Sequence, residues 1–400
     1  SRPSVKPQAP RPLSESYEHK RRMAVLFAVL SAGMMVSALF FGIFLEFYRA
    51  PRIAVAGEGV TVLHGSRSTE DDDPASRLVA LDDALLPRGD PVRLAGDAQA
   101  ILVDGEEITA FFGARTAVLR GGATVRGADL GQAWDVRAAV GDPGRSAAWI
   151  FGWSEGKIVA RRRDLGVWSE PVTVAAAGEI ERLSAALEGS DGPLVSWRER
   201  GGDTVRSALF DGRAFSPRAE FALGDAGLWD VVLWKRRPVL VTYRKEDRTF
   251  QRVGIRLRAA EENGTPALDA RAELADPVLL LGRGVTGLAA ATAGDRLYLV
   301  LSRWTTIQAA ALSMEAMGSD PFQARLHPVG SEPLWRRAVG GLTPMLMMFF
   351  SFSMIFLGFT MLRERGRPPA QEGPRPADVL QRAMASILDQ IVLFPLIWIA

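Results

Sequence analysis

Two stretches of this chain, Met23–Leu45 and Ala338–Leu362, are apolar and carry no charged residue. At about 1.5 Å per helical residue, each is long enough to cross the roughly 30 Å hydrocarbon core of a bilayer. No other feature limits the fold so strictly, because a segment in lipid must satisfy every backbone polar group within the protein. The chain therefore reads as an integral membrane protein, with transmembrane helices over residues 23–48 and 336–362. A helix buried in a globular core is the plainer alternative. It does not account for uncharged runs of this length with basic flanks. Met23–Leu45 is also too long for the apolar region of a signal peptide, and no small-residue cleavage site follows it.

Flanking charge sets the expected orientation. Lys20, Arg21 and Arg22 precede the first span, with Lys6 and Arg11 further out, and Arg363, Arg365 and Arg367 follow the second. By the positive-inside rule, residues 1–22 form a basic cytoplasmic tail and the segment after Leu362 is cytoplasmic as well. Arg336 and Arg337 weaken this bias without reversing it. Residues 49–335 then lie outside the cytoplasm, on the periplasmic side of a bacterial inner membrane. Tyr48 and Trp335 stand where an aromatic belt meets the bilayer surface and are the expected interface anchors. A domain in that compartment often relies on disulfides, but the chain has no cysteine. Core packing alone must hold it, and thiolate metal sites and cysteine nucleophiles are excluded. The net charge of +2 is too small to argue for a nucleic-acid partner.

The segment between the spans is repetitive. Residues 146–156 (SAAWIFGWSEG), 192–202 (GPLVSWRERGG), 237–247 (RPVLVTYRKED) and 295–304 (DRLYLVLSRW) are each a short apolar strand that breaks into a polar turn. A second strand follows each: KIVARRRD, TVRSALFDG, TFQRVGIRL and TIQAAALS. A more polar third comes next, at 168–175, 215–223, 267–274 and 322–329. A strand of small and apolar residues precedes each set: DVRAAV, RLSAALEG, DVVLW and GLAAAT. Equivalent positions Trp153, Trp197, Tyr243 and Arg303 are 44, 46 and 60 residues apart. Four short strands in a period of about 45 residues are the pattern of a β-propeller blade. Two weaker units, 52–95 and 96–131, bring the expected number of blades to six, or seven if one is split across the ends. The small innermost strands suit crowding round a central axis. The expected architecture is thus an all-β propeller of about six four-stranded blades, inserted between transmembrane helices. A β-sandwich would explain the alternation but not the period.

Beyond the second span lies a Pro-rich linker at 363–378, and then VLQRAMASILDQIVLFPLIWIA at 379–400. Arg382, Ala385 and Asp389 are spaced by three and seven residues, which puts them on one helix face. Asp389 begins an apolar stretch, where a carboxylate is costly and is usually functional or paired. Arg382, two turns away, is its natural partner. This stretch of about 25 residues resembles the opening of the RDD family of membrane proteins, which begins a transmembrane helix with Arg, a small residue and Asp at these spacings. The family's second Asp, on its next helix, has no counterpart before Ala400. The resemblance implies a third span and a role in transport or assembly, with Arg382 and Asp389 as the candidate intramembrane pair.

Chemistry is sparse elsewhere. His19, His64 and His327 are the only histidines, and no metal-binding spacing joins them. Blades one and six are neighbours in a ring, so His64 and His327 can approach each other there. Gly282, Gly284 and Gly287 match a dinucleotide fingerprint literally, but that site needs a following helix and an acid about twenty residues on. Here a blade strand follows instead. The acidic run Glu70–Asp73 lacks the glycine spacing of a calcium loop. WSEP at 168–171 resembles segments of sialidase-like propellers, but the S-x-D-x-G-x-T-W box of those enzymes is missing. No catalytic, cofactor or metal residue is therefore expected. The leading expectation is a non-enzymatic, membrane-anchored scaffold or accessory subunit of a membrane protein complex. A transporter or ligand sensor is the alternative. An enzyme would need a carboxylate pair or an arginine cluster converging in the propeller channel.

Overall fold

The computed structural model describes residues 47–329, apart from 57–58, 68–74, 106, 121–122, 128–129, 131–134, 143–146, 165, 189–191, 249–251, 263–266, 276–284, 304–305 and 316–321. They belong to one compact unit, Ile43–Gly341. Both apolar spans, the linker, Trp335, Arg382 and Asp389 lie outside the described residues. No helix among the described residues is long and apolar enough to cross a membrane.

Alternation of apolar and polar residues puts the described chain into strands, which pair into six sheets. Blade one is β1 (Phe47–Ala56), β2 (Gly59–Arg67), β3 (Ala75–Leu81) and β4 (Val92–Ala95). Blade two is β5 (Ala100–Asp104), β6 (Glu107–Phe112), β7 (Arg115–Arg120) and β8 (Ala123–Arg126). Blade three is β9 (Asp135–Asp142), β10 (Ala147–Ser154) and β11 (Lys157–Asp164), with β12 (Val167–Trp168) and β13 (Val172–Ala176) sharing the outer edge. Blade four is β14 (Ile180–Ala186), β15 (Leu194–Glu199), β16 (Thr204–Phe210) and β17 (Phe215–Ala222). Blade five is β18 (Leu228–Trp234), β19 (Arg237–Arg248), β20 (Arg252–Ala259) and β21 (Leu268–Ala275). Blade six is β22 (Gly287–Ala293), β23 (Arg296–Arg303), β24 (Thr306–Ser313) and the short β26 (His327–Pro328), while β25 (Phe322–Arg325) joins blade five. The first strands β1, β5, β9, β14, β18 and β22 touch in a cycle that returns from β22 to β1. The fold is a six-bladed propeller.

Among the described residues, no blade combines strands from the two ends of the chain and the sheets number six. Three local differences from the sequence reading have physical causes. Residues 322–329 do not form one outer strand of the last blade. Phe322–Arg325 pairs in parallel with β21, covering the open edge of blade five, and the fully buried Leu326 then carries the chain across to blade six. The polar strand of blade three breaks between Trp168 and Val172, where Pro171 has no amide to donate to the ladder. Phe47 and Tyr48, expected to end the first span, pair with Arg67 and Ser66 in β1. The propeller thus begins two residues before the expected boundary.

Each blade is sandwiched between two others, so both faces of its middle strands are buried. In β23, Leu297, Leu299 and Leu301 pack toward blade five, while Tyr298 and Val300 pack toward blade one. The same division recurs round the ring: six apolar clusters fill the six seams between blades. The seam between blades three and four is aromatic, with Trp149 and Phe210 centroids 4.7 Å apart and Phe215 edge-on to Trp149 at 5.8 Å. The turn between β18 and β19 puts two side-chain-bearing residues in the left-handed region, Lys235 at φ 51° and Arg236 at φ 65°. The Glu188 carboxylate holds both of their amides, at 2.8 and 2.6 Å, which offsets that strain.

The ring closes where β22 meets β1. A Cβ on Gly287 would stand 2.5 Å from Pro51 Cδ and 2.5 Å from Ser302 Oγ, so only glycine permits this approach. Within blade six, β26 runs antiparallel to β24, β24 to β23 and β23 to β22. It therefore ends at the end of the ring where the innermost strands begin. The start of β1 is at that end too, so the chain enters and leaves the propeller on one side.

Replacing Gly287 by Ala is expected to lower unfolding stability by about 1–3 kcal/mol through overpacking at this closure. Gly227→Ala, with open space around it, is the control and should change stability little. Urea midpoints of the two variants and the wild type check this.

Candidate functional site

Side chains along the innermost strands alternate between the two flanking seams, as in β18, where Trp229, Val231 and Leu233 pack toward blade four and Val232 toward blade six. On β1 and near the starts of β9, β14 and β18 stand the charged residues Arg52, Arg137, Arg182 and Asp230, and Gln99 precedes β5. Arg52 on β1 donates from Nε to the Gln99 carbonyl of blade two at 2.9 Å and from Nη1 to the Pro51 carbonyl at 3.1 Å. With its amide turned to match its neighbours, Gln99 donates to the Val136 carbonyl and the Asp135 carboxylate of blade three, at 3.2 and 3.1 Å. Arg137 forms an ion pair with Asp135 at 2.7 Å and donates to the Ile180 carbonyl of blade four at 2.6 Å. Arg182 on β14 crosses the axis to the Leu288 carbonyl of blade six at 2.6 Å, and the same Nη2 lies 3.3 Å from Asp230 of blade five. These bonds run from blade to blade and form a polar girdle at one end of the axis.

Asp230 is the hub. Its side chain is 6% exposed, and both oxygens are fully engaged. Oδ1 accepts from Ser184 Oγ and from the Val231 amide at 2.9 Å. Oδ2 accepts from Arg182 and from the Ala290 amide at 2.9 Å. Four donors on its two oxygens leave no acceptor of this enclosed carboxylate unsatisfied. The Arg182 guanidinium also stacks over Trp229 at 5.3 Å, in a cation–π contact.

Charge around the hub is unbalanced. Arg137 is matched by Asp135, and Arg198 forms an ion pair with Glu181. Arg52 and Arg182 share Asp230 as their enclosed carboxylate. Asp97 acts on Arg52 only at a distance, from an exposed position. Burial first, and then the Arg182 charge, pull Arg52 down to about 10. Arg182 is lowered mainly by burial, with Asp230 opposing the shift. A guanidinium is not deprotonated in proteins, so both side chains are cations. The arrangement suits recognition of negative charge.

The residues singled out from sequence are placed differently. Tyr48 lies in β1, paired with Ser66. His64 is buried in β2 and His327 is half-buried on β26 at the outer edge of blade six. Among the described residues, no group of three or more His, Asp or Glu side chains is placed to hold a metal ion. Gly287 opens a strand, where a dinucleotide fingerprint would open a helix. Trp168 of the WSEP segment lies under the Arg163 guanidinium at 5.6 Å, on the outer edge of blade three. Sequence reasoning missed Arg52, Arg182 and Asp230. Their only signal was a charged residue amid small and apolar neighbours in each inner strand, as in IERLSAA and LWDVVLW.

No protein-family model matches this chain, and no curated protein matches it. Solved structures resemble it in fold. Hydrazine synthase of Kuenenia stuttgartiensis is 12% identical with a TM-score of 0.43, over 68% of this chain and 78% of that one. The β-propeller domain of the Trilobed protease from Pyrococcus furiosus, described as having an open velcro topology, is 12% identical with a TM-score of 0.40, over 72% and 84%. A chain of a nidogen/laminin complex is 12% identical with a TM-score of 0.38, over 66% and 98%.

Asp230→Asn leaves the enclosed Arg182 without its counter-charge and is expected to cost about 3 kcal/mol of stability, read from denaturation midpoints. A second outcome concerns pH. Burial, and then the Arg77 charge, hold His64 at about 4 against an ordinary 6.5. The unfolded chain takes up a proton near 6.5 that folded His64 refuses until about 4. The stability this provides is present above 6.5 and is lost as pH falls through that window, by up to about 3 kcal/mol. In His64→Gln the drop in urea midpoint between pH 7 and pH 4.5 should be visibly smaller than in the wild type.

Proposed function

We propose that this protein is a membrane-anchored propeller that works without catalysis, as a scaffold or accessory subunit of a larger membrane protein complex. One observation carries the reading. The chain enters β1 and leaves β26 at the same end of the ring, and each connection leads to an uncharged apolar stretch, Met23–Leu45 and Ala338–Leu362. A closed ring held by two such segments is a rigid platform on a hairpin anchor. Its loops are free to bind a partner while the anchors pack against the partner's spans. In this reading the basic flanks keep both outer ends in the cytoplasm of a bacterium, the propeller faces the periplasm, and Tyr48 and Trp335 sit at the bilayer surface.

A second reading is favoured by the arginines on the axis: a ligand sensor, or a transporter of the RDD type in which the Arg382–Asp389 pair lines a path and the propeller reads the ligand. The two readings differ in what accompanies the chain. Mild-detergent extraction, size separation and mass spectrometry should find the protein co-migrating in fixed stoichiometry with a defined set of membrane proteins. Migration alone, as monomer or homodimer, overturns the scaffold reading and leaves the sensor.

A further inference from the structure

We propose that the polar end of the propeller axis binds a small oxyanion, a carboxylate or phosphate group, between Arg52 and Arg182. The inference gives the sensor reading a ligand class, but the binding chemistry stands whether or not the protein also serves as a scaffold.

The two arginines reach one place from opposite sides of the ring. Arg182, from blade four, donates to the carbonyl of Leu288. The preceding residue, Gly287, packs against Pro51, the neighbour of Arg52 on blade one. Both guanidiniums therefore lie near the start of β22 and Pro51 of β1, Arg52 reaching on to the Gln99 carbonyl of blade two and Arg182 passing Asp230 of blade five. Neither is spent. The bonds of Arg52 are to two neutral carbonyls, which accept hydrogens without cancelling charge, and its Nη2 has no partner among the described residues. Arg182 bonds only through Nη2, so its Nε and Nη1 are likewise unengaged among the described residues. None of these nitrogens is among the buried, unsatisfied atoms of the described residues. Each therefore keeps some contact with solvent, and the Arg182 side chain as a whole is 17% exposed.

Asp230 cannot serve both cations. It already accepts from Ser184, Val231, Ala290 and Arg182. One positive charge remains in excess in an enclosed setting, where an unmatched ion is costly. Burial first, and for Arg52 then the Arg182 charge, depresses both arginines. An anion with two or three oxygens relieves the cost of the unmatched charge and takes up the free donors. The planar fork of arginine fits carboxylate and phosphate oxygens alike.

Calorimetric titration of the full-length protein with succinate and with inorganic phosphate, against potassium chloride at matched ionic strength, tests this. Saturable binding of either anion in the wild type is expected, and the one bound more tightly identifies the group. Arg52→Gln should weaken it by about 10- to 100-fold, the loss of a charge-assisted bond pair. Arg52→Lys keeps the charge but lacks the fork. It decides the matter if the glutamine variant does not fold, with weakened binding expected there too. Absence of saturable binding in the wild type overturns the proposal, as do equal competition by chloride and unchanged affinity in a folded Arg52 variant. Loss of anion binding leaves co-migration with membrane proteins untouched, so the two readings fail separately.

Discussion

A propeller has to hold its ring shut. Many rings do so by building one blade from both ends of the chain, but here, among the described residues, every blade is drawn from one continuous stretch apart from the added strand β25. Closure depends instead on the axis. Asp230 joins blade four through Arg182 and Ser184 and blade six through the Ala290 amide, and Arg182 reaches on to Leu288. Gly287 lets β22 come close enough to β1 for the last seam to form. A carboxylate with four donors in a dry setting is worth more than its parts at the surface, because competing water is excluded.

The seams supply the bulk of the stability. Each of the six apolar clusters is local to two blades, and none spans the ring. A domain built this way resists loss of one seam only while the ring stays closed, since two blades share every cluster. The seam of blades five and six is the most extensive, running from Val232 to Leu326. It lies beside the closure, and Leu326 on the crossing segment fastens both blades there.

Structure and recognition meet at the girdle. Bonds from Arg52, Gln99, Arg137 and Arg182 to carbonyls of neighbouring blades use part of each donor set for architecture. What is left over, on Arg52 and Arg182, is a pair of cations with a saturated carboxylate between them. A purely structural network would be expected to balance its enclosed charge. The surplus is the feature that separates this site from a simple closure.

The sequence by itself determined most of the strands and the period, and narrowed the blade number to six or seven. A period-two alternation with turns every eight to twelve residues forces strands, and segments such as SAAWIFGWSEG and DRLYLVLSRW fell where the structure has β10 and β23. It also marked the small inner strands. It did not determine how the ring closes or where residues 322–329 go, because both depend on which edge lies open after six blades have packed. Nor did it reveal the axial site. Arg52, Arg182 and Asp230 are 130 and 48 residues apart along the chain, and nothing in local pattern couples them. Only the closed ring brings the starts of distant strands to one axis, where enclosure makes one unmatched charge matter.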